Sequence, residues 1–106
     1  MSFVGRLERN IEKLGKNIEK EQRQIEELRV KCENHKITKA QFNIKKSHIE
    51  EKIRAMDSRM RVLQGGLAKE KRHLEEKAEE KRKEREEKAE KREKAKRREG
   101  KFLEHP

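Results

Sequence analysis

Apolar residues alternately three and four positions apart run through the first third of the chain, and they constrain its fold more than any other feature. The letters NIEK stand at 10–13 and again at 17–20, and QIEE follows at 24–27 in the same phase. A repeat of 3.5 residues keeps apolar side chains on one stripe only if the segment is an α-helix packed on another helix. The sequence therefore predicts a helix over residues 2–33 and a partner helix for its stripe.

A second stripe with the same spacing begins at Phe42 and predicts the partner. Thr38 and Gln41 have the spacing of a capping box that opens this helix. Asn34 is expected to adopt the left-handed conformation that closes the first one. So short a connection places consecutive helices side by side and antiparallel. The predicted seam consists of Leu7, Ile11, Leu14, Ile18, Ile25, Leu28, Phe42, Ile49, Ile53, Met56, Met60 and Leu63.

Three charged residues interrupt this seam. Glu21, Lys46 and Glu70 stand where the repeat calls for an apolar side chain. Such residues can select helix register and oligomeric state, or they can lie where the seam meets solvent, and the sequence leaves both readings open. The pair Gly65–Gly66 leaves a similar choice, between a break in the second helix and a continuous helix that tolerates two glycines.

After Leu74 the apolar stripe ends and a run of charges begins. Residues 75–85 and 86–96 form an eleven-residue repeat in which Glu precedes Lys by four, the order that supports an isolated helix. We expect a hairpin over 1–66 with its turn near 34–38, a charged helical extension over 67–99, and a flexible tail over 100–106. The predicted fold is all-α: an antiparallel two-helix coiled-coil hairpin with an extended, highly charged C-terminal helix.

The composition excludes a compact globule. Charged residues make up 51% of the chain and hydrophobic residues 28%, too few to offset about 1.5 kcal/mol of ordering entropy per residue. Because a two-helix seam buries little, we expect self-association, most simply as a dimer. No segment approaches the roughly 20 apolar residues of a membrane span. A single cysteine, Cys32, excludes an intrachain disulfide, and we expect a cytoplasmic protein.

The segment ITKAQFNIKKSHI at 37–49 resembles the short helical-hairpin motif known as SHOCT. Its characteristic positions are occupied by Ile37, Thr38, Phe42, Lys45, Lys46 and Ile49. The acidic residues usual after the threonine of that motif are missing, as is the usual glycine before the isoleucine. The resemblance implies oligomerisation or contact with a partner protein.

The net charge of +10 is distributed unevenly along the chain. Residues 1–28 hold six basic and six acidic side chains, whereas 29–61 hold ten against four and 88–101 hold eight against three. Basic zones attract phosphate backbones. We therefore predict binding to RNA, the ribosome or DNA through Lys36, Lys39, Lys45, Lys46, Arg54, Arg59, Arg61, Lys94, Lys96, Arg97 and Arg98.

Other readings remain open. The charges can serve only to solubilise the chain, or they can attract an anionic membrane surface, although the tail has no apolar face to insert. Alternatively, the protein can be a structural or adaptor coiled coil that binds a protein partner through its seam. With no Tyr or Trp to stack on bases, any nucleic-acid contact should be to the backbone, with little sequence readout.

We expect no catalysis, metal or cofactor. Cys32 and His35 are the only pair at metal-ligand spacing, and two ligands do not complete a tetrahedral zinc site. Two helices alone do not enclose a pocket of the volume that enzymes use.

Overall fold

The structure is a computed structural model that describes the backbone of residues 2–104 and the side chains of residues 2–98. The described residues form two helices, α1 (Phe3–Glu33) and α2 (Lys39–Glu104), and no strand. The all-α helical hairpin predicted from the sequence is thereby confirmed. The chain divides into two units, Met1–Glu70 and Lys71–Pro106, and the first of them contains the hairpin.

A side-chain cap begins α1. The Ser2 hydroxyl accepts a hydrogen bond from the Gly5 N–H at 3.0 Å, which satisfies one of the backbone donors that a helix leaves unpaired at its start. The first turn contains no acidic residue, so Ser2 provides this cap without help from a side-chain charge.

A Schellman motif ends α1, and its left-handed residue is His35. The Lys36 N–H donates to the Lys31 carbonyl at 2.9 Å and the His35 N–H to the Cys32 carbonyl at 3.1 Å, the two bonds of that motif. His35 has φ 60. The prediction that Asn34 takes the left-handed conformation is wrong, because Asn34 has φ −83 and its N–H still bonds the Val30 carbonyl at 3.0 Å.

The capping box predicted at the start of α2 is confirmed. The Gln41 N–H donates to the Thr38 hydroxyl at 3.1 Å, and the Thr38 N–H donates to the Gln41 side-chain oxygen at 2.9 Å. The Thr38 carbonyl then accepts the Phe42 N–H at 2.9 Å as the helix begins. Two donors are satisfied reciprocally, so the turn between the helices is fixed by local bonds at both ends.

The seam between α1 and α2 holds the apolar core of the first unit. Leu7, Leu14, Ile18 and Ile49 are buried. The remaining predicted seam residues are half-buried: Ile11, Ile25, Leu28, Phe42, Ile53, Met56, Met60 and Leu63. Gly15 sits against Met60, whose Cε lies 3.6 Å from the place a Cβ would take. This contact and the heptad phases of the two stripes together place Leu14 level with Met60 and Glu21 level with Ile53.

The second helix does not break at its glycine pair. Gly65 and Gly66 are helical, and neither has positive φ. Each glycine costs a helix about 1 kcal/mol relative to Ala. The strong helix formers on both sides, and the apolar stripe that continues at Leu67, offset this cost. For the same reason Gly100 does not end the helix, which continues to Glu104. Residues 100–104 of the expected tail are therefore helical, and His105 and Pro106 lie outside the described residues.

The described side chains of the second unit are all exposed. Arg82 forms ion pairs with Glu79 at 2.7 Å and with Glu86 at 4.0 Å. Exposed pairs within one helix add only about 0.3–0.5 kcal/mol each, so this unit rests mainly on helix propensity. No helix in the part of the chain that the structure describes is long and apolar enough to cross a membrane.

Candidate nucleic-acid interface

The seam defines two opposite faces of the hairpin. Writing each heptad as abcdefg with the seam at a and d, positions g and c lie on one side of a helix, and e and b lie on the other. A near two-fold axis relates antiparallel helices, so the g and c sides of α1 and α2 share one face of the hairpin. Their e and b sides share the opposite face.

The g and c positions carry almost only positive charge. Eight basic residues stand there against one acidic residue, Glu27; the basic ones are Arg6, Lys13, Lys20, Lys31, Lys45, Lys52, Arg59 and Lys69. All nine are exposed. None of the eight forms an ion pair within the described part of the chain. We call this surface the basic face.

The e and b positions form an acidic face on the other side. Seven acidic residues stand there against Arg29, Arg54 and Arg61; the acidic ones are Glu8, Glu12, Glu19, Glu26, Glu33, Glu50 and Asp57. Part of this charge is neutralised locally, because Arg29 pairs with both Glu26 and Glu33. The hydrogen bond from Arg29 holds the pKa of the Glu26 carboxyl below its ordinary value, and the same bond raises the pKa of Arg29.

The charges of the basic face are spread along the whole hairpin. In the register set by Met60 and Gly15, Lys45 lies within about one helical turn of the level of Lys31, and Arg59 lies between Lys13 and Lys20. Both helices therefore contribute charges along the length of the face. From Arg6 to Lys31 the face extends about 38 Å at 1.5 Å per residue. Exposed amides of Asn10, Asn17 and Gln24 stand between the charges along α1.

The structure separates the basic residues that the sequence grouped together in the hairpin. Lys45 and Arg59 lie on the basic face, whereas Arg54 and Arg61 lie on the acidic face. The other hairpin residues predicted to bind nucleic acid, Lys36, Lys39 and Lys46, lie on neither face. Lys36 is in the turn and Lys39 begins α2, and both are exposed. The Lys46 Nζ occupies a seam position, 3.7 Å from a Glu50 carboxylate oxygen and 5.8 Å from the Phe42 ring centroid.

The predicted residues of the distal zone share no face either. Lys94, Lys96, Arg97 and Arg98 are exposed in the second unit. Because neighbouring helix positions differ by about 100°, these four side chains surround the helix within little more than one turn. They form a dense ring of charge and not a one-sided surface.

Sequence reasoning missed six members of the basic face: Arg6, Lys13, Lys20, Lys31, Lys52 and Lys69. Three of them lie in residues 1–28, which carry no net charge. A count along the chain averages the two sides of α1, whose glutamates and basic residues occupy different heptad positions. Assigning each charged residue its heptad position would have shown that the basic residues share one side of each helix.

No group of three side chains able to hold a metal ion occurs within the described residues. Cys32, the lone cysteine, is half-buried at a seam position.

The comparisons with known proteins give the hairpin no relative. No protein-family model, curated protein or solved structure matches this chain.

Proposed function

We propose that this protein is a non-enzymatic, basic coiled-coil protein that binds nucleic acid through contacts to the phosphate backbone. The observation that supports the proposal is the basic face: eight exposed, unpaired cations and one carboxylate on one side of the hairpin. A surface that only needed to be soluble would be expected to mix both signs on each side of the hairpin. Segregation on this scale creates a one-sided field that attracts a polyanion.

The acidic face adds to the argument because it fixes the orientation of binding. A phosphate backbone is repelled by the row of glutamates on α1 and attracted by the opposite side. The hairpin therefore approaches nucleic acid with one face, and the α1 lysines and arginines act together with those of α2. The binding group in the hairpin is then the basic face, with Lys36 and Lys39 at its turn end.

The ring at Lys94, Lys96, Arg97 and Arg98 supplies a second contact in the proposal. Its charges are exposed, and contacts at two sites of one chain raise the effective concentration of each at the polymer. Loss of the ring should weaken binding without abolishing it, since the basic face keeps most of the phosphate contacts.

Self-association is part of the same proposal. Only four of the predicted seam residues are buried and the others are half-buried, so one hairpin leaves its core incompletely covered. A second copy would cover more of it. When the basic face contacts nucleic acid, the acidic face stays available to bind the second copy. A two-fold axis between the copies can set the α1 glutamates of one beside Arg54 and Arg61 of the other.

A salt titration tests the proposal. Binding of the full chain to generic DNA and RNA is measured by fluorescence anisotropy from about 50 to 200 mM salt. With six or more phosphate contacts the affinity should fall about 10³-fold or more over this range. Reversing the four basic residues of the ring should reduce affinity further at every salt concentration. Failure to bind either polymer at the lowest salt would refute the proposal and leave the protein-binding coiled coil as the better account.

A further inference from the structure

We infer that the basic face binds double-stranded nucleic acid, lying across a groove and touching the phosphates of both strands that border it. The inference rests on the proposed function and specifies its ligand: a duplex phosphodiester backbone. Length, width and the chemistry of the face each favour a duplex over a single strand.

The length of the face matches a duplex. Its charges extend about 38 Å along the hairpin, and one turn of a DNA duplex is about 34–36 Å long. Both arrays are stiff, since Arg6, Lys20 and Lys52 project from continuous helices packed on each other. A fixed row of charges binds a fixed row of phosphates without ordering either. A flexible single strand would lose entropy on following the same row.

The width of the face determines how the hairpin can lie on the duplex. Two helices about 8–10 Å apart, each about 10–12 Å across, make a layer roughly 20 Å wide. The major groove of DNA is only about 12 Å wide. The layer therefore does not enter the groove but spans it, with α1 toward one strand and α2 toward the other. Cations from both helices, such as Lys20 and Arg59, are needed for that contact.

The chemistry of the face lacks what single-strand binders use. Such proteins stack bases on a series of aromatic side chains. Within the described residues this face holds only two aromatic rings, Phe3 near the start of α1 and His48 near the start of α2, and because the helices are antiparallel they lie toward opposite ends of the face and form no series. Along α1 the groups between the cations are instead the amides of Asn10, Asn17 and Gln24. Amides donate hydrogen bonds to phosphate oxygens as readily as to bases, and across a groove only phosphates are within reach.

The test compares the affinity of the full chain for four probes at one salt concentration. Two probes are DNA duplexes of about 20 bp, roughly two turns, with unrelated sequences, and the third is an RNA duplex of equal length. The fourth is a DNA single strand without secondary structure that carries as many phosphates as one duplex. We expect the DNA duplexes to bind at least about tenfold more tightly than the single strand and equally to each other within about twofold. In a separate salt series with one of the DNA duplexes, the logarithm of the affinity should fall with the logarithm of the salt concentration with a slope of about −5 to −7.

The outcomes separate this inference from the proposed function. Equal affinity for the single strand and the duplexes would overturn the inference while the proposed function stands. A strong preference between the two DNA sequences would also overturn it, because a layer that spans the groove does not read bases. Tight binding of both DNA and RNA duplexes supports recognition of the shared backbone, and tight binding of one of them identifies the source. No binding of any probe would refute the proposed function itself.

Discussion

Replacement of Glu21 by leucine should stabilise the hairpin. Glu21 occupies a seam position level with Ile53 and is half-buried, and one of its carboxylate oxygens is buried without a hydrogen-bond partner. A buried polar atom without a partner loses its hydration and gains nothing in return. Leucine at the same position adds an apolar contact to the seam between Ile18 and Ile25.

Two contributions set the size of the gain. An unsatisfied buried group costs about 1–3 kcal/mol, of which a half-buried side chain incurs the lower part, because its other carboxylate oxygen can still reach water. Full burial of a leucine contributes about 1.5–3 kcal/mol, of which half-burial gives roughly half. Glu and Leu have similar helix propensity. The free energy of unfolding should rise by about 2 kcal/mol.

Urea denaturation of Glu21→Leu, followed by far-ultraviolet circular dichroism, measures this gain. The midpoint should rise with little change in slope, and a tenfold change in protein concentration separates stabilisation of the hairpin from added association. Glu19→Leu is the matched control, since Glu19 is exposed on the acidic face and should change stability by no more than about 0.5 kcal/mol. Equal effects of the two substitutions, or a loss at Glu21, would refute the reasoning.

Three further predictions concern the turn, the glycine pair and one ion pair. His35→Gly should stabilise the hairpin by up to about 1 kcal/mol, since φ 60 disfavours a side chain; urea denaturation measures this. Gly65→Ala and Gly66→Ala should each add about 1 kcal/mol, because an added Cβ meets no atom within 4 Å; the unfolding midpoint shows the gain. Arg29→Ala should raise the pKa of Glu26 toward its ordinary value, seen in a carboxyl titration by nuclear magnetic resonance.

Each of these has a control in the same chain. Asn34→Gly should not stabilise, since Asn34 has φ −83; a gain there would contradict the assignment of the left-handed residue. Gly5→Ala should gain less than the exposed glycines, because its Cβ would lie 3.1 Å from the Ser2 hydroxyl. The Arg29–Glu26 pair stabilises the native state at pH values above the pKa that Glu26 has in the unfolded chain. This stabilisation is lost as the pH falls through the lowered pKa that Glu26 has in the folded chain. If stability falls with decreasing pH in Arg29→Ala as much as in the native protein, this pH dependence does not come from the pair.

The fold was predictable because local signals and the long-range pattern agree. Matching stripes before and after the turn require two helices of matched phase, and Thr38 with Gln41 marks the start of the second. The left-handed residue was misplaced because Asn is favoured there in general, while its position depends on where the last helical hydrogen bond forms. Continuity through Gly65 was undecidable from the sequence, since two glycines cost an amount that the surrounding helix formers can offset.

The candidate interface was predictable only in part. Charge counts along the chain identified a surplus after residue 28 but averaged α1 to zero, although Lys13 and Glu12 point to different sides of that helix. The basic face exists only when two helices are set antiparallel, because its members come from positions such as Lys20 and Lys52 that are far apart in sequence. A count of charges along the sequence cannot show that these residues lie on the same face.

The central claim is that nucleic acid binds one face of the hairpin, and two charge reversals of equal size test it directly. Lys20→Glu with Lys52→Glu changes the basic face, and Arg9→Glu with Arg23→Glu changes the exposed outer side of α1, away from both faces, by the same net charge. Affinity for a DNA duplex of about 20 bp is measured at low salt by fluorescence anisotropy, with circular dichroism confirming that both variants fold. The account predicts a loss of at least about tenfold more for the first pair than for the second. Equal losses would contradict it, because they would show that binding follows net charge and not a face.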